Sequence, residues 1–152
     1  MKKTVSLVLV LSMIAVAVIG FGAAANAQTL SNAEKALALI NTFATGDADM
    51  ARSLLAEDYI QHNLAYGTGA DAFVGSVEYL ASAEVKTTVN NIRAFEDGDK
   101  VFLQTVYNFA GASEQVAFDI FRIDENGKIA EHWDVMETIA DPSTWQNQNG
   151  KF

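Results

Sequence analysis

The sequence contains no cysteine, a single proline and only two histidines in 152 residues. Without cysteine, the chain cannot form a disulfide, use a thiolate nucleophile or bind zinc or iron–sulfur clusters through sulfur. Basic residues are also few, since 10 Lys and Arg stand against 19 Asp and Glu, which gives a net charge of −9. Phosphate backbones repel an acidic chain, so we expect no nucleic acid partner.

The first 27 residues have the organisation of a signal peptide. Lys2 and Lys3 precede an uncharged apolar run over residues 5–25, and the small residues of Ala25-Asn26-Ala27 mark a cleavage point. We therefore expect a signal peptide at 1–27 and one exported domain, periplasmic or secreted, over 28–152. The alternative is an uncleaved anchor, because the apolar run is about as long as a bilayer is thick. Contact with a membrane is expected only in that case.

Helical patterns occupy the first half of the exported domain. Ser31 and Glu34 form a capping box before a helix predicted over residues 32–45. Asp47 and Asp71 can each cap a further short helix, because a carboxylate accepts hydrogen bonds from the free backbone N–H groups of a first turn. The sequence therefore predicts three N-terminal helices.

From residue 85 onward the hydrophobic period changes to two, which is typical of strands. Turn signals occur at Asp97-Gly98 and Asn126-Gly127. Three helices followed by an antiparallel meander predict an α+β fold, with the helices packed on one face of a curved antiparallel sheet. The strands are predicted at 59–63, 85–95, 100–110, 114–124 and 128–138.

The last two predicted strands are apolar on both faces. In the first, Phe118 alternates with Phe121, so each face carries a large ring; in the second, Ile129, Trp133 and Val135 share one face. Three short helices cannot cover both faces of such a sheet. We therefore expect the second face to pack against another copy of the chain, in a homodimer built through the sheet.

Three ionisable residues interrupt these apolar strands. Asp119 shares a face with Phe121, and His132 and Asp134 share a face with Met136. If the two strands form the predicted hairpin, both acids point to the same side of the sheet. Two neighbouring carboxyls tend to share one proton, which gives a site an acid and a base from one residue type. We therefore expect Asp119, His132 and Asp134 to be catalytic, with Met136 beside them in ligand binding.

A second polar group lies in the short strand predicted over 59–63. By alternation Tyr59, Gln61 and Asn63 share one face, which we expect to contact a ligand. His62 is a further candidate for ligand binding, although alternation turns it away from the other three. That direction favours a structural or interface role for His62 over catalysis.

Two other interpretations of these residues stay open. Asp119 can accept hydrogen bonds from loop backbone or a tyrosine, while His132 and Asp134 form a solvated edge. Together with His62, the three can instead bind zinc, manganese or iron, which imidazole and carboxylate ligands suit. Because the sequence lacks a His-x-x-x-His or comparable spacing, we expect neither a metal nor a cofactor.

Two segments are similar to a known family. The first is AEDYIQHN over residues 56–63, and the second is AFDIFRIDENGKIAEHWDVME over residues 117–137. The second combines an Asp-x-x-Arg strand, a glycine turn and Glu-His-Trp-Asp. With the order of elements, they resemble the SnoaL-like proteins of the nuclear transport factor two-like superfamily. This resemblance implies a cone-shaped fold that encloses an apolar pocket, often in a dimer built on the sheet.

The superfamily contains enzymes of several types, so the resemblance implies a function only through particular residues. Compared with ketosteroid isomerases, Asn63 stands in place of the general base and Leu39 in place of the oxyanion tyrosine. Compared with the epoxide hydrolases, Ala117 replaces the arginine that joins the two acids. Cyclases that close rings by intramolecular aldol condensation are most similar, over residues 119–122 and 131–134.

The resemblance favours a cofactor-independent enzyme that moves protons on a small apolar carbonyl compound, by aldol cyclisation, isomerisation or dehydration. Asp134, helped by His132, would serve as base and acid, and a protonated Asp119 with Asn63 would stabilise the developing enolate. The alternative is a non-catalytic domain that binds a small apolar molecule or serves only to dimerise.

Overall fold

The structure, a computed structural model, describes residues 30–152, so the signal peptide predicted at 1–27 lies outside the described residues. No helix within this part of the chain is long and apolar enough to cross a membrane. The elements follow in the order α1 Asn32–Thr45, α2 Ala48–Leu54, β1 Leu55–Gln61, α3 Ala70–Ser82, β2 Thr88–Asp97, β3 Lys100–Asn108, β4 Gln115–Ile123 and β5 Ile129–Thr138, with a 3₁₀ turn at Pro142–Thr144.

The first two helices begin at the caps that the sequence predicts. The Ser31 hydroxyl accepts a hydrogen bond from the Glu34 N–H at 3.1 Å, and the Glu34 carboxylate accepts one from the Ser31 N–H at 2.7 Å. Asp47 accepts a hydrogen bond from the Met50 N–H at 2.9 Å and begins α2. Both caps satisfy backbone donors that have no partner inside the helix.

The third helix begins differently from the prediction. Gly69 is its N-cap, with a φ of 93°, and no side chain caps the helix. The prediction that Asp71 caps α3 is therefore wrong, because the glycine turn starts the helix before it. Asp71 lies in the first turn, where a negative charge interacts favourably with the helix dipole. Its carboxylate also pairs with Arg52 at 2.7 Å.

The sheet has the strand order β1-β5-β4-β3-β2. Strands β2 to β5 form the predicted antiparallel meander. The predicted α+β fold is confirmed, with three helices on a curved sheet, but β1 lies parallel to β5 and makes the sheet mixed. This parallel pairing places Gln61 opposite His132. Residues far apart in the sequence therefore meet at one end of the sheet.

The register between β4 and β5 shifts near the turn. Asp119 lies opposite Asp134, but Ile123 lies opposite Ile129, so β5 contains one extra residue. A bulge of this kind reverses the alternation of side chains. The expectation that Ile129 shares a face with Trp133 is therefore wrong, because Ile129 is fully buried in the core.

The hydrophobic core lies between the three helices and the inner face of the sheet, which is the face toward the helices. Packing there is dense enough to bury the largest apolar side chains almost completely. The outer face, on the opposite side, has an exposed apolar band that we call the outer band. Its members are 41% to 73% exposed, and they are Phe95, Phe102, Phe118 and Val135.

The C-terminal residues fold back to the outer face. The Gln104 side-chain amide donates a hydrogen bond to the Lys151 carbonyl oxygen at 3.3 Å, and the Lys151 ammonium contacts Glu137 at 2.5 Å. Val106 and Val116 of the same face are buried. The tail therefore shares the outer face with the outer band.

We predict that two glycine-to-alanine substitutions shift stability in opposite directions. Gly46 ends α1 with a φ of 75°, and an added Cβ would lie 2.7 Å from the Ala81 Cβ. Gly46→Ala should lower the free energy of unfolding by about 1–2 kcal/mol, because alanine is strained in a left-handed backbone conformation. The close contact with Ala81 should add to that loss. Gly75 lies inside α3 with nothing within 4 Å of an added Cβ, so Gly75→Ala should raise it by about 0.5–1 kcal/mol.

Urea unfolding of the two variants and the parent measures both effects. A Gly46→Ala protein at least as stable as Gly75→Ala would show that the close packing of α1 against α3 does not contribute as described.

Candidate active site

A cavity of about 520 Å³ lies between the helices and the inner face of the sheet. Its lining includes four phenylalanine rings, which are Phe43 from α1, Phe73 from α3, Phe121 from β4 and Phe109 after β3. At one end the lining becomes polar, and we call this part the polar wall. Its residues are Gln61, Tyr107, Asp119, His132 and Asp134.

The apolar part of the cavity is held by aromatic packing. The Phe43 and Phe73 rings lie 4.9 Å apart, and Phe109 contacts Phe43 edge-on at 5.7 Å. Phe109 also stacks on Tyr107 at 5.0 Å. Rings that pack in these geometries stabilise one another, so the cavity is formed before any ligand binds and suits an apolar ligand.

The hairpin of β4 and β5 brings the two predicted acids together. Asp119 and Asp134 lie directly opposite each other on neighbouring strands, and both line the cavity. Their side chains differ in burial, since Asp119 is 3% exposed and Asp134 is half-buried.

Asp119 has protein partners at both carboxylate oxygens. The Tyr107 hydroxyl donates a hydrogen bond to Oδ2 at 2.9 Å, and Nε2 of His132 lies 3.3 Å from Oδ1. A buried carboxylate needs such partners because desolvation of its charge is costly. Asp119 is thus held in a fixed position and has little freedom to move toward a ligand.

His132 connects this pair to strand β1. Its ring stacks on Phe121 at 4.4 Å, and its Nδ1 lies 3.1 Å from Oε1 of Gln61. The Gln61 amide in turn donates a hydrogen bond to the Tyr59 hydroxyl at 3.3 Å. A continuous hydrogen-bonded chain therefore runs from Tyr107 through the polar wall to Tyr59.

Asp134 is the acid with an available oxygen. The Asn63 amide donates a hydrogen bond to Oδ1 of Asp134 at 2.7 Å, and Oδ2 has no hydrogen-bond partner among residues 30–152. The Asn63 side-chain oxygen accepts a hydrogen bond from the Ala65 N–H at 3.0 Å, which fixes the direction of the amide. Asp134 can therefore exchange a proton with a ligand in the cavity while Asn63 keeps it oriented.

The two buried tyrosines stay protonated over the neutral range. Burial raises the pKa of Tyr107 well above its ordinary value, and the negative charge of Asp119 raises it further. Burial also raises the pKa of Tyr59, with smaller contributions from Asp134 and Asp119. Each phenol therefore keeps its O–H, and Tyr107 acts as a donor to Asp119.

Four of the predicted ligand-binding residues do not line the cavity, and they are Tyr59, His62, Asn63 and Met136. His62 is on the outer face, where its ring stacks on Trp133 at 4.6 Å and its Nε2 lies 3.4 Å from Glu131. A hydrogen bond from Arg122 to Glu131 lowers the pKa of that carboxyl, and the pair belongs to the same outer surface. Met136 packs against the hydrophobic core and does not line the cavity.

Tyr107 is the member of the polar wall that the sequence analysis missed. It lies on β3 in the inward alternation with Leu103 and Thr105, where a tyrosine is indistinguishable from an ordinary core residue. The available signal was an inward-facing tyrosine on the strand next to the one that carries the inward-facing Asp119, because a buried tyrosine hydroxyl needs a partner.

The polar wall also contains the group of side chains best suited to a metal among the described residues. Asp119, His132 and Asp134 each offer one ligand atom, and these atoms lie within 4.8 Å of one another. However, both oxygens of Asp119 and both ring nitrogens of His132 already have protein partners. His62, the fourth candidate, is on the other side of the sheet. The arrangement fits proton transfer better than metal binding.

Solved structures with a similar fold come from several kinds of protein. An NTF2-like protein of unknown function from Cytophaga hutchinsonii is 17% identical, with a TM-score of 0.62 over 73% of this chain and 94% of that one. IdmH from Streptomyces antibioticus, a proposed polyketide cyclase, is 19% identical, with a TM-score of 0.57 over 71% and 93%. An LEH-like epoxide hydrolase from M. tuberculosis is 17% identical, with a TM-score of 0.59 over 70% and 82%. These likenesses show the fold alone.

The family of this chain is identified from its sequence profile. A search of curated proteins finds no significant match. The sequence profile of the SnoaL-like domain matches residues 36–132, which is more than half of the chain and includes most of α1, the β1 strand and every residue of the polar wall except Asp134. The chain therefore belongs to the SnoaL-like domain family, within the NTF2-like fold.

Proposed function

We propose that this protein is a cofactor-independent enzyme that moves protons on a small apolar carbonyl compound, in an aldol cyclisation, isomerisation or dehydration. The observation that carries the proposal is a half-buried carboxylate, Asp134, that has an open oxygen in a largely apolar cavity. IdmH, which shares the fold, is itself proposed to be a polyketide cyclase.

Asp134 is the proposed general base. Its Oδ2 takes a proton from the carbon next to the substrate carbonyl, and the same carboxyl later returns it. The Asn63 hydrogen bond at 2.7 Å holds the carboxylate in one orientation during this exchange. A positioned carboxylate of this kind accelerates proton transfer by roughly 10²–10⁴-fold.

The polar wall stabilises the negative charge that develops on the substrate oxygen. His132 lines the cavity next to Asp134, and Gln61 and Asp119 hold its ring in place. A polar group that is fixed in place before the reaction needs no reorganisation as charge develops on the substrate. The apolar rings around it exclude water and strengthen this effect.

We predict that Asp134→Asn removes most of the protein's acceleration of proton exchange without loss of stability. The probe is 1-tetralone, a flat apolar ketone, incubated with the protein in D₂O while NMR follows loss of its α-protons. The parent should accelerate exchange above the buffer rate, and Asp134→Asn should reduce that acceleration by roughly 10²-fold or more, because the amide is not a base. Glu137→Gln, on the outer face of the same strand, is the matched control and should exchange like the parent.

Binding of the probe is measured on the same samples by ligand-observed NMR. A parent protein that binds the ketone but leaves its exchange rate at the buffer value would contradict catalysis and favour a domain that only binds apolar molecules. Equal exchange by the parent and Asp134→Asn would remove Asp134 as the base.

We also propose that the protein is a homodimer that packs through the outer band. The outer band consists of exposed apolar side chains on neighbouring strands, and exposed patches of this kind mark interaction sites. Phe118 is 56% exposed on β4, between two other strands of the sheet. Two copies related by a two-fold axis can therefore cover each other's rings.

We predict that Phe118→Asp converts the dimer to a monomer, because a buried, unpaired carboxylate costs several kcal/mol. The matched control is Leu64→Asp, since Leu64 is fully exposed in the loop after β1 and does not belong to the outer band. Light scattering during size-exclusion chromatography gives the mass of each variant. A monomeric parent, or a dimeric Phe118→Asp variant, would contradict the proposed interface.

Export is the last part of the proposal. Expressed from its full sequence in a bacterial host with a secretory pathway, the protein should leave the cytoplasm with Gln28 as its first residue, as read by mass spectrometry of the intact chain. Ala27→Arg, at the predicted cleavage point, should leave the precursor uncut. A chain that keeps residues 1–27 and sediments with membranes would instead indicate an anchor.

A further inference from the structure

The backbone fixes which end of the Gln61 amide faces His132. The Asn63 backbone N–H donates a hydrogen bond to Oε1 of Gln61 at 2.9 Å. A backbone N–H is always a donor, so the atom that faces it must be the amide oxygen. The other end of the amide donates to Tyr59 at 3.3 Å. Gln61 therefore offers His132 an acceptor.

Both ring nitrogens of His132 face acceptors. Nδ1 lies 3.1 Å from Oε1 of Gln61 and must carry a proton to make that contact favourable. Nε2 lies 3.3 Å from Oδ1 of Asp119, whose other oxygen already accepts a hydrogen bond from Tyr107. A lone pair on Nε2 would face the carboxylate and repel it. A proton must therefore lie between Nε2 and Oδ1 as well.

We propose that His132 is a doubly protonated imidazolium paired with an ionised Asp119, and that Gln61 is the positioning residue that imposes this state. The shared proton belongs to the histidine because imidazole is a stronger base than a carboxylate. Asp119 then accepts two hydrogen bonds, which favours its ionised form.

The surroundings of His132 support a positive charge. The ring stacks on Phe121 at 4.4 Å, and the face of an aromatic ring attracts a cation. The charged groups that face it are the carboxylates of Asp119 and Asp134, while Tyr107 stays neutral. With a neutral His132, two negative charges would share one largely apolar cavity. The imidazolium reduces that repulsion.

This protonation state changes the division of roles in the polar wall. A doubly protonated His132 has no lone pair, so it cannot accept a proton from a substrate or from Asp134. Asp134 is then the sole base, and His132 supplies a fixed positive charge toward which a negative oxygen is attracted. The sequence predicted a protonated Asp119 and a His132 that helps Asp134 as the base. The directions of the hydrogen bonds instead favour an ionised Asp119 and a doubly protonated His132. These catalytic roles rest on the proposed function, whereas the protonation state of His132 does not.

The test is a ¹⁵N NMR spectrum of the histidine rings at pH 7, measured on the protein expressed from its full sequence. His62→Gln removes the signals of the other histidine and thus assigns those of His132. Both His132 nitrogens should resonate at the position of a protonated nitrogen. In Gln61→Leu, which removes the acceptor for Nδ1, the ring should become neutral and one nitrogen should move to the unprotonated position.

Two further variants separate positioning from a general structural effect. Gln61→Glu keeps an acceptor at the same place and should retain the doubly protonated signature. Asn63→Ala removes a neighbouring amide side chain but keeps the backbone N–H that orients Gln61, so it should also match the parent. A Gln61→Leu spectrum identical to that of the parent would overturn the role of Gln61.

The parent spectrum decides the proposal even if the leucine variant does not fold. One unprotonated nitrogen in the parent would overturn it, as would a stoichiometric divalent metal that a chelator releases, since a metal would then occupy the place of the proton. A doubly protonated His132 in a protein that exchanges no ketone protons would support this inference and contradict only the proposed catalysis.

Discussion

The buried carboxylate of Asp119 is the constraint on which the polar wall depends. A charge that is 3% exposed is stable only if protein groups replace the water it has lost. Tyr107 and His132 make this replacement, and the other ring nitrogen of His132 lies 3.1 Å from Oε1 of Gln61. One desolvated charge thus links strands β3, β4, β5 and β1. Asp134 is outside this link, and among residues 30–152 only Asn63 donates a hydrogen bond to its carboxylate.

The two layers of the fold make different contributions to the cavity. The helices contribute mostly apolar surface, while the strands contribute the ionisable side chains at one end. Such a division suits a ligand with a large apolar body and one reactive polar group, because the body gains from burial and the polar group meets fixed donors. One fold can host different functions in this way, because the residues of a site can differ while the scaffold stays the same.

Local patterns in the sequence predicted most of the architecture. The capping box at Ser31, the glycine turns and the period-two alternation depend on neighbouring residues, so α1 and the Asp119–Asp134 pairing followed from them. Non-local features were missed. The parallel pairing of β1 with β5 has no local signal, and the bulge that buries Ile129 adds one residue without altering composition. Tyr107 was hidden among core residues, because its role exists only through a partner on another strand.

The return of the C-terminus to the sheet bears on how the protein should be handled. The Lys151 carbonyl oxygen is bound to Gln104, so the chain reaches Phe152 on the side that carries the outer band. Any purification tag fused after Phe152 begins beside that surface and can cover it or hold it away from a second copy. A tag placed before residue 30 and cut off after purification avoids this interference. The position of the last two residues therefore decides whether a fused tag lies beside the outer band.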